Sequence, residues 1–174
     1  TVRSLIGKAS ADSTHIQGLI KAAACHAQPV RATVMTEDWC GDSACNMPVL
    51  ARLFEGADIQ CTVFHGSDYP ELKKYYEDSG DDHIPVISIW DGNGKEIGRW
   101  VEQPEAIASL KDGWENERPE FMELYQQKDN DKVAERKFVT LYRLLLEEMA
   151  GWYSGGLWKE TTREVVESIR PADA

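Results

Sequence analysis

Apolar residues change their spacing several times along the first hundred residues, and each change indicates a new element. Over residues 16–25 the apolar positions step by three and four, which predicts an amphipathic helix. Residues 30–35 form a short β-branched run bounded by turn residues, which is typical of a buried strand. The same criteria predict helices over 43–54 and 69–78 and strands over 59–64, 85–90 and 95–101. A strong hairpin turn, Asp91-Gly92-Asn93-Gly94, joins the last two strands.

The order of these segments indicates the fold class. Helices and strands alternate up to the hairpin, so the sequence predicts an α/β fold in which helices flank a mixed sheet. After Pro104 the strand pattern is lost, and helices are predicted from about Glu105, from Pro119 and over residues 158–169. Between them one long helical face carries Phe138, Leu141, Tyr142, Leu145 and Met149. We therefore predict a domain over residues 1–110 and a helical C-terminal extension over residues 111–174.

Charge and hydropathy exclude two classes of partner. The 174 residues carry a formal net charge of −11. Binding to phosphate backbones and to anionic lipid depends on lysine and arginine, so we expect neither nucleic acid nor a membrane as a partner. No apolar run approaches the roughly 20 residues of a membrane-spanning helix.

The chain has four cysteines: Cys25, Cys40, Cys45 and Cys61. They are too few and too irregularly spaced for a secreted disulfide scaffold, and they lack the spacing of a zinc site. We therefore expect a cytoplasmic protein without a metal or another cofactor. Cys25 and Cys61 fall in a predicted helix and strand, where we expect both to be packed.

Cys40 differs from the others because it lies between the end of a buried strand and the start of a helix. Unpaired backbone N–H groups and the positive end of the helix dipole meet there and stabilise a thiolate. A thiolate is the nucleophilic form of cysteine. The position therefore favours a reactive Cys40 over an inert packed one.

Three features near this cysteine resemble the thioredoxin superfamily. Trp39-Cys40-Gly41 matches the opening of the thioredoxin active-site motif, and Pro48 occupies the place of that family's helix proline. Ile84-Pro85 heads a strand where the family keeps a cis-proline beside the active-site cysteine. The resemblance covers roughly residues 15–110. It implies a thioredoxin-like domain with thiol–disulfide oxidoreductase activity on protein or low-molecular-weight thiols and disulfides.

The resemblance also implies roles for individual residues. Cys40 would be the nucleophile, and Ile84 and Pro85 would shape the groove in which a substrate strand pairs. Trp39 would cover one side of that groove. Gly41 and Asp42 complete the expected substrate-binding set.

The motif departs from the family at several positions. Ser43 replaces the second, resolving cysteine, and we expect its hydroxyl to hydrogen-bond the Cys40 thiolate. The family's buried acid, six residues before the first cysteine, is replaced by Val34. Negative charge from nearby acids opposes a Cys40 thiolate; these acids are Glu37, Asp38 and Asp42.

Cys45 is the remaining candidate for the resolving thiol. Five helical steps separate it from Cys40 by about 7.5 Å along the axis, which exceeds the ~7 Å Cα limit for a disulfide. A frayed first turn could close that gap, but the spacing favours Cys45 as a packed helix residue. An external thiol is the alternative resolving group.

Three other interpretations stay open. Cys40-Gly41-Asp42-Ser43 also resembles the monothiol glutaredoxins, which bind glutathione and can share an iron–sulfur cluster, although Asp42 replaces their usual aromatic residue. The second interpretation, from a functional class other than enzymes, is a thioredoxin-fold module that binds proteins without catalysis. The third is homo-oligomer formation through the C-terminal helices. The sequence there contains an aromatic cluster of Trp152, Tyr153, Leu157 and Trp158. Such a cluster fits either an interface between copies or an internal packing seam, and we favour the seam.

Overall fold

A mixed four-stranded sheet forms the centre of the computed structural model, which describes residues 13–171. The strands are β1 (Arg31–Thr36), β2 (Gln60–His65), β3 (Val86–Trp90) and β4 (Glu96–Val101). Their order across the sheet is β2-β1-β3-β4. β1 pairs in parallel with β2 and antiparallel with β3, and β3 pairs antiparallel with β4.

Seven helices surround the sheet within the described residues. They are α1 (Ser13–Ala23), α2 (Gly41–Gly56), α3 (Pro70–Asp78), α4 (Glu105–Asn116), α5 (Glu120–Gln127), α6 (Lys132–Trp152) and α7 (Trp158–Glu167). A π-helical turn, Tyr153–Leu157, connects α6 to α7, and Gly156 within it adopts a φ of 129°. Only glycine takes such a backbone angle without strain, which explains the predicted break in the helical pattern.

The predicted fold class is confirmed, and each predicted strand lies within a residue or two of an observed one. One expectation about the cysteines is wrong. α1 ends at Ala23, so Cys25 lies in the turn after it and is exposed instead of packed. Cys61 lies in a strand, as predicted, but is only partly buried, because β2 forms an edge of the sheet.

The main core lies between one face of the sheet and helices α1, α2 and α7. Alternation along the strands sends Val34, Ile87 and Ile89 to this face, where all three are fully buried. The other face packs against α3 through Met35, Val86 and Tyr76.

The last helix is part of this main core. Val165 of α7 is fully buried in it, and Glu164 accepts a hydrogen bond from the Trp100 indole of β4 at 3.0 Å. Beyond α7, the backbone N–H of Arg170 donates to the carbonyl of Ile97 at 2.8 Å. The C-terminal end of the described chain is therefore built into the sheet domain.

A second apolar cluster joins α2 to the C-terminal helices. Its buried members are Cys45, Val49, Ile107, Trp114, Phe121, Leu145, Met149, Tyr153 and Trp158. The aromatic residues around the π turn pack into this cluster, in agreement with the preferred interpretation of an internal seam. Homo-oligomer formation stays a prediction. The predicted boundary between the domain (residues 1–110) and the helical extension (residues 111–174) falls inside α4 and also stays a prediction. Residues 1–12 of the domain and 172–174 of the extension lie outside the described part of the chain.

The buried position of Val165 leads to a stability prediction. Val165→Ala removes two methyl groups from a full core, and we expect it to lower the free energy of unfolding by about 2 kcal/mol. The matched control is Val139→Ala in α6, where the side chain is about half exposed and we expect a change within about 0.5 kcal/mol. Urea unfolding followed by circular dichroism measures both. Equal effects of the two substitutions would contradict the assignment of α7 to the core.

Candidate active site

Cys40 lies where β1 meets α2, at the N-cap position of the helix. Its backbone is extended, with φ −77° and ψ 116°, and only 7% of the residue is exposed. The backbone N–H of Ser43 donates to Cys40 Sγ at 3.4 Å. The sulfur thus faces the free N–H groups at the start of α2, where the helix dipole favours negative charge.

The segment before β3 lies directly against this sulfur. Cys40 Sγ donates to the carbonyl oxygen of Ile84 at 3.3 Å, and the Ile84–Pro85 peptide bond is cis. Ile84 is partly exposed, whereas Pro85 is buried. A 120 Å³ cavity lined by Trp39 and Ile84 opens beside them, and Trp39 is 72% exposed. The chain therefore brings together four predicted residues: Trp39, Cys40, Ile84 and Pro85.

Ser43 contacts Cys40 differently from the expectation. Its hydroxyl pairs with the hydroxyl of Thr36 at the end of β1, while its backbone N–H reaches the Cys40 sulfur. The expected side-chain hydrogen bond to the thiolate is replaced by a backbone one. Both hydroxyl residues are buried, so this pairing satisfies each of them.

Cys45 is a packed helix residue with a free thiol, as the helical spacing favoured. It is 8% exposed and lies in the second apolar cluster. Burial raises its pKa to about 11, and the nearby Asp42 carboxylate contributes to this rise. At neutral pH the Cys45 side chain is therefore a thiol.

The acids that surround Cys40 in sequence are each bonded to another group. Glu37 accepts hydrogen bonds from the backbone and hydroxyl of Ser67, at 2.6 Å and 3.1 Å. Asp38 lies 3.2 Å from the His65 ring. Asp42 forms an ion pair with Lys111 of α4. Lys111 therefore offsets the charge of Asp42, while Glu37 and Asp38 are held by a serine and a histidine.

Lys111 links two carboxylates beside the motif. Its Nζ lies 3.1 Å from Asp42 and 3.3 Å from Glu102, and its side chain is only 14% exposed. Burial opposes the charge of Lys111, but its two carboxylate partners outweigh burial and raise its pKa. For Asp42 the balance is reversed, because burial raises its pKa more than Lys111 lowers it.

Glu102 takes an unusual backbone conformation immediately after β4. Its φ is 63°, in the left-handed region that non-glycine residues rarely adopt. Its N–H donates to the carbonyl of Pro85 at 2.7 Å, and its carbonyl accepts from the amide of Asn46 at 3.3 Å. Asn46 in turn accepts from Thr161 of α7 at 2.7 Å. Backbone strain of this kind persists where surrounding contacts fix the conformation.

Tyr142 connects α6 to the motif itself. Its hydroxyl accepts from the N–H of Gly41 at 3.2 Å and donates to the carbonyl of Trp39 at 3.5 Å. A side chain at position 41 would clash, since a Cβ there would lie 2.4 Å from Leu146 and 2.9 Å from the Tyr142 hydroxyl. Gly41 therefore allows the close approach of α6 to the first turn of α2.

A larger cavity of 680 Å³ lies between the motif and the C-terminal helices. The motif contributes Trp39 and Asp42 to its lining, and the C-terminal helices contribute Lys111, Tyr125 and Tyr142 among others. Within residues 13–171 no cluster of three or more potential ligands is suited to a metal ion, and no helix is both long and apolar enough to span a bilayer.

The model of a protein family described as thioredoxin matches residues 7–118, which is more than half of the chain. The chain belongs to the thioredoxin family.

Solved structures with this thioredoxin fold extend the likeness to most of the chain. A crystal structure of a protein of unknown function from Pseudomonas aeruginosa is 15% identical, with a TM-score of 0.54, over 96% of this chain and 82% of that one. An HIV epitope scaffold is 14% identical, with a TM-score of 0.53, over 96% of this chain and 83% of that one. No curated protein matches by sequence. At these identities the likeness concerns the fold alone.

Sequence reasoning missed three residues of this thioredoxin-family site: Glu102, Lys111 and Tyr142. A signal for Lys111 was present, because it lies four residues after Ile107 and three before Trp114, both buried on one face of α4. A lysine on a buried helical face needs a partner. Tyr142 was placed on the apolar face of its helix, but nothing in the sequence indicated where its hydroxyl points. Glu102 carries no sequence signal that we recognise.

The raised pKa of Cys45 leads to a labelling prediction. Since pH 8 lies about three units below a pKa of about 11, about one Cys45 side chain in a thousand is ionised. We expect iodoacetamide at pH 8 to label Cys45 at least about a hundredfold more slowly than the exposed Cys25. Peptide mass spectrometry measures both rates, and 6 M guanidinium chloride should bring them together. Equal rates in the folded protein would show that Cys45 is not protected.

The buried ion pairs of Lys111 lead to a second prediction. Lys111→Met leaves two carboxylates without a partner, and we expect it to lower the free energy of unfolding by about 3 kcal/mol at pH 7. A carboxyl whose pKa is raised in the folded state binds protons more tightly there, so lowering the pH favours folding. The deficit should therefore shrink as the pH falls from 7 toward 4.5.

Lys74→Met is the matched control, because Lys74 is 71% exposed in its pair with Asp78 and its loss should leave stability unchanged. Thermal unfolding of the three proteins across this pH range measures the effect. A Lys111→Met deficit that is independent of pH would contradict the ion-pair account.

Proposed function

We propose that this protein is a thiol–disulfide oxidoreductase that works with one catalytic thiol, Cys40. The observation that carries the proposal is the position of Cys40 Sγ, which receives the Ser43 N–H at the start of α2 and touches the Ile84 carbonyl beside Pro85. A nucleophilic sulfur needs a group that stabilises its anion and a surface that presents the substrate, and both lie within hydrogen-bonding distance.

The proposed reaction consists of two thiol–disulfide exchange steps. The Cys40 thiolate attacks one sulfur of a substrate disulfide; a new S–S bond forms between Cys40 and the substrate, and the other substrate sulfur leaves as a thiolate. An external thiolate then attacks the mixed disulfide. The Cys40–substrate bond breaks, Cys40 is regenerated as a thiolate, and the external thiol remains in a disulfide with the substrate.

An external thiol fits the second step better than Cys45. Cys45 is protonated at neutral pH and packed in the second apolar cluster. Ser43 has no sulfur and its hydroxyl is bonded to Thr36. We therefore propose that a low-molecular-weight or protein thiol is the resolving group. A cytoplasmic location would supply such thiols.

The substrate chain is proposed to bind beside Ile84. Trp39 is largely exposed and lines the cavities on both sides, so its ring offers an apolar face to a bound peptide. Pro85 is buried and acts by placing Ile84 against the Cys40 sulfur.

A second candidate is a protein-binding module without catalysis. Cys40 is only 7% exposed, and its thiol already donates a hydrogen bond to the Ile84 carbonyl, so the sulfur is largely closed to a substrate. In that case the same groove beside Trp39 and Ile84 holds a partner chain, and no sulfur chemistry occurs.

Thiol–disulfide exchange between a disulfide-linked peptide dimer and a small-molecule thiol tests the proposal, with the products separated by chromatography. We expect the protein to accelerate this reaction, Cys40→Ser to reduce the rate to that of the thiol alone, and Cys45→Ala to retain the acceleration. The Cys45→Ala variant is the matched control for loss of a buried thiol near the motif. Acceleration that persists in Cys40→Ser contradicts the proposal, and a wild-type protein without any acceleration favours the binding module.

A further inference from the structure

The larger cavity beside the motif has an aromatic wall and an acidic lining. We propose that it binds a lysine or arginine side chain next to the cysteine that Cys40 attacks, so that the protein selects disulfides flanked by basic residues. This inference rests on the proposed function of Cys40 and adds to it the class of substrate.

The aromatic wall comes from α5 and α6. Phe138 stacks on the Tyr142 ring, with centroids 5.6 Å apart and planes inclined by 12°, and lies 5.5 Å from the Tyr125 ring. Tyr125 is 50% exposed, so its ring is open to the cavity and to solvent. Aromatic faces attract cations that lie within about 6 Å of the ring centre. Lys128 Nζ already lies 4.8 Å from the centre of the Tyr125 ring, so the Trp39 ring, which lines the same cavity and is 72% exposed, is the aromatic face left for a ligand cation.

The charges of the lining leave an excess of carboxylates. Three carboxylates line the cavity, Asp42, Glu102 and Glu115, against two amines and the His83 ring, which lies 2.6 Å from Asp82 outside the lining. One amine, Lys111, is shared between Asp42 and Glu102. The other, Lys128, is paired with Asp129, which lies outside the cavity.

Glu115 is the carboxylate left for a ligand. It is partly buried, and among the described residues it forms no ion pair. A cation that enters the cavity therefore meets an available carboxylate and an aromatic face, which is the environment of a bound ammonium or guanidinium group.

The cavity borders the motif that carries the sulfur. Trp39 and Asp42, which line it, lie one residue before and two residues after Cys40. The Tyr142 hydroxyl joins the aromatic wall to the backbone of Gly41. A substrate cysteine that reaches Cys40 thus brings an adjacent side chain to the mouth of the cavity.

A negatively charged ligand fits this cavity poorly. An anionic side chain, or the carboxylates of a small acidic thiol such as glutathione, would meet the excess negative charge of the lining. The chain as a whole carries −11, which also attracts basic partners and repels acidic ones.

The test uses three peptides, Ac-Gly-X-Cys-X-Gly-amide, in which X is lysine, norleucine or glutamate. Each peptide is a mixed disulfide with thionitrobenzoate, whose release is followed by its absorbance. We expect the wild-type protein to react with the lysine peptide about fivefold faster than with norleucine, and with glutamate more slowly still. The preference should shrink in 1 M salt, since the charges are then screened.

Glu115→Gln should lower the preference for the lysine peptide over the norleucine peptide from about fivefold to about twofold. Glu117→Gln is the matched control, because this glutamate lies in the same region of the chain but outside the cavity lining. Equal rates for lysine and norleucine, a faster glutamate peptide, or equal effects of the two substitutions would overturn the inference.

A binding measurement separates failure of this inference from failure of the proposed function. The S-methylated peptides are titrated against the Cys40→Ala protein, where no sulfur chemistry takes place, and binding is followed by calorimetry. Tighter binding of the lysine peptide supports the cavity assignment even when no peptide exchanges with Cys40, and that combination overturns only the oxidoreductase proposal. Equal binding of the lysine and glutamate peptides overturns the cavity assignment.

Discussion

The charged group on which the site depends is the buried ammonium of Lys111. Asp42 lies in the first turn of α2, two residues after Cys40. Glu102 follows β4 directly and has a left-handed backbone conformation beside Pro85. Both carboxylates lie in poorly solvated positions, where an unpaired charge is costly. Lys111 reaches both from α4, so a residue outside the motif makes the acidic motif compatible with folding.

The same principle extends through the C-terminal helices. Tyr142 of α6 binds the backbone on both sides of Cys40, and Thr161 of α7 reaches Asn46, which fixes the Glu102 carbonyl. Val165 fills the main core. The helices after β4 therefore position the candidate active site, and we expect a change in their packing to alter the groove beside Cys40.

Local sequence patterns were sufficient for the fold but only partly for the site. β1 and β3 are buried β-branched runs with turn residues at their ends, so their type follows from short-range chemistry. Cys40 at a strand–helix junction was found in the same way. Cys25 was misplaced because helix ends are the least determined part of a periodic pattern.

The remaining site contacts join residues that are far apart in the chain. The hydroxyl of Ser43 could face the Cys40 sulfur or the end of β1, and only the packing of α2 on the sheet turns it to Thr36. Lys111 lies 69 residues from Asp42, and Tyr142 lies 101 residues from Gly41. The buried face of α4 marks Lys111 as a residue that needs a partner, but the sequence does not say which carboxylate it meets.

We expect Cys40 alone to be the reactive thiol of this site. The direct measurement is peptide mapping by mass spectrometry of a Cys25→Ser protein, which lacks the exposed thiol, after brief treatment with a peptide disulfide. The account predicts one mixed disulfide per chain, on Cys40, with Cys45 and Cys61 unmodified. An intramolecular Cys40–Cys45 disulfide, or a Cys40 that stays unmodified while another thiol reacts, would contradict it.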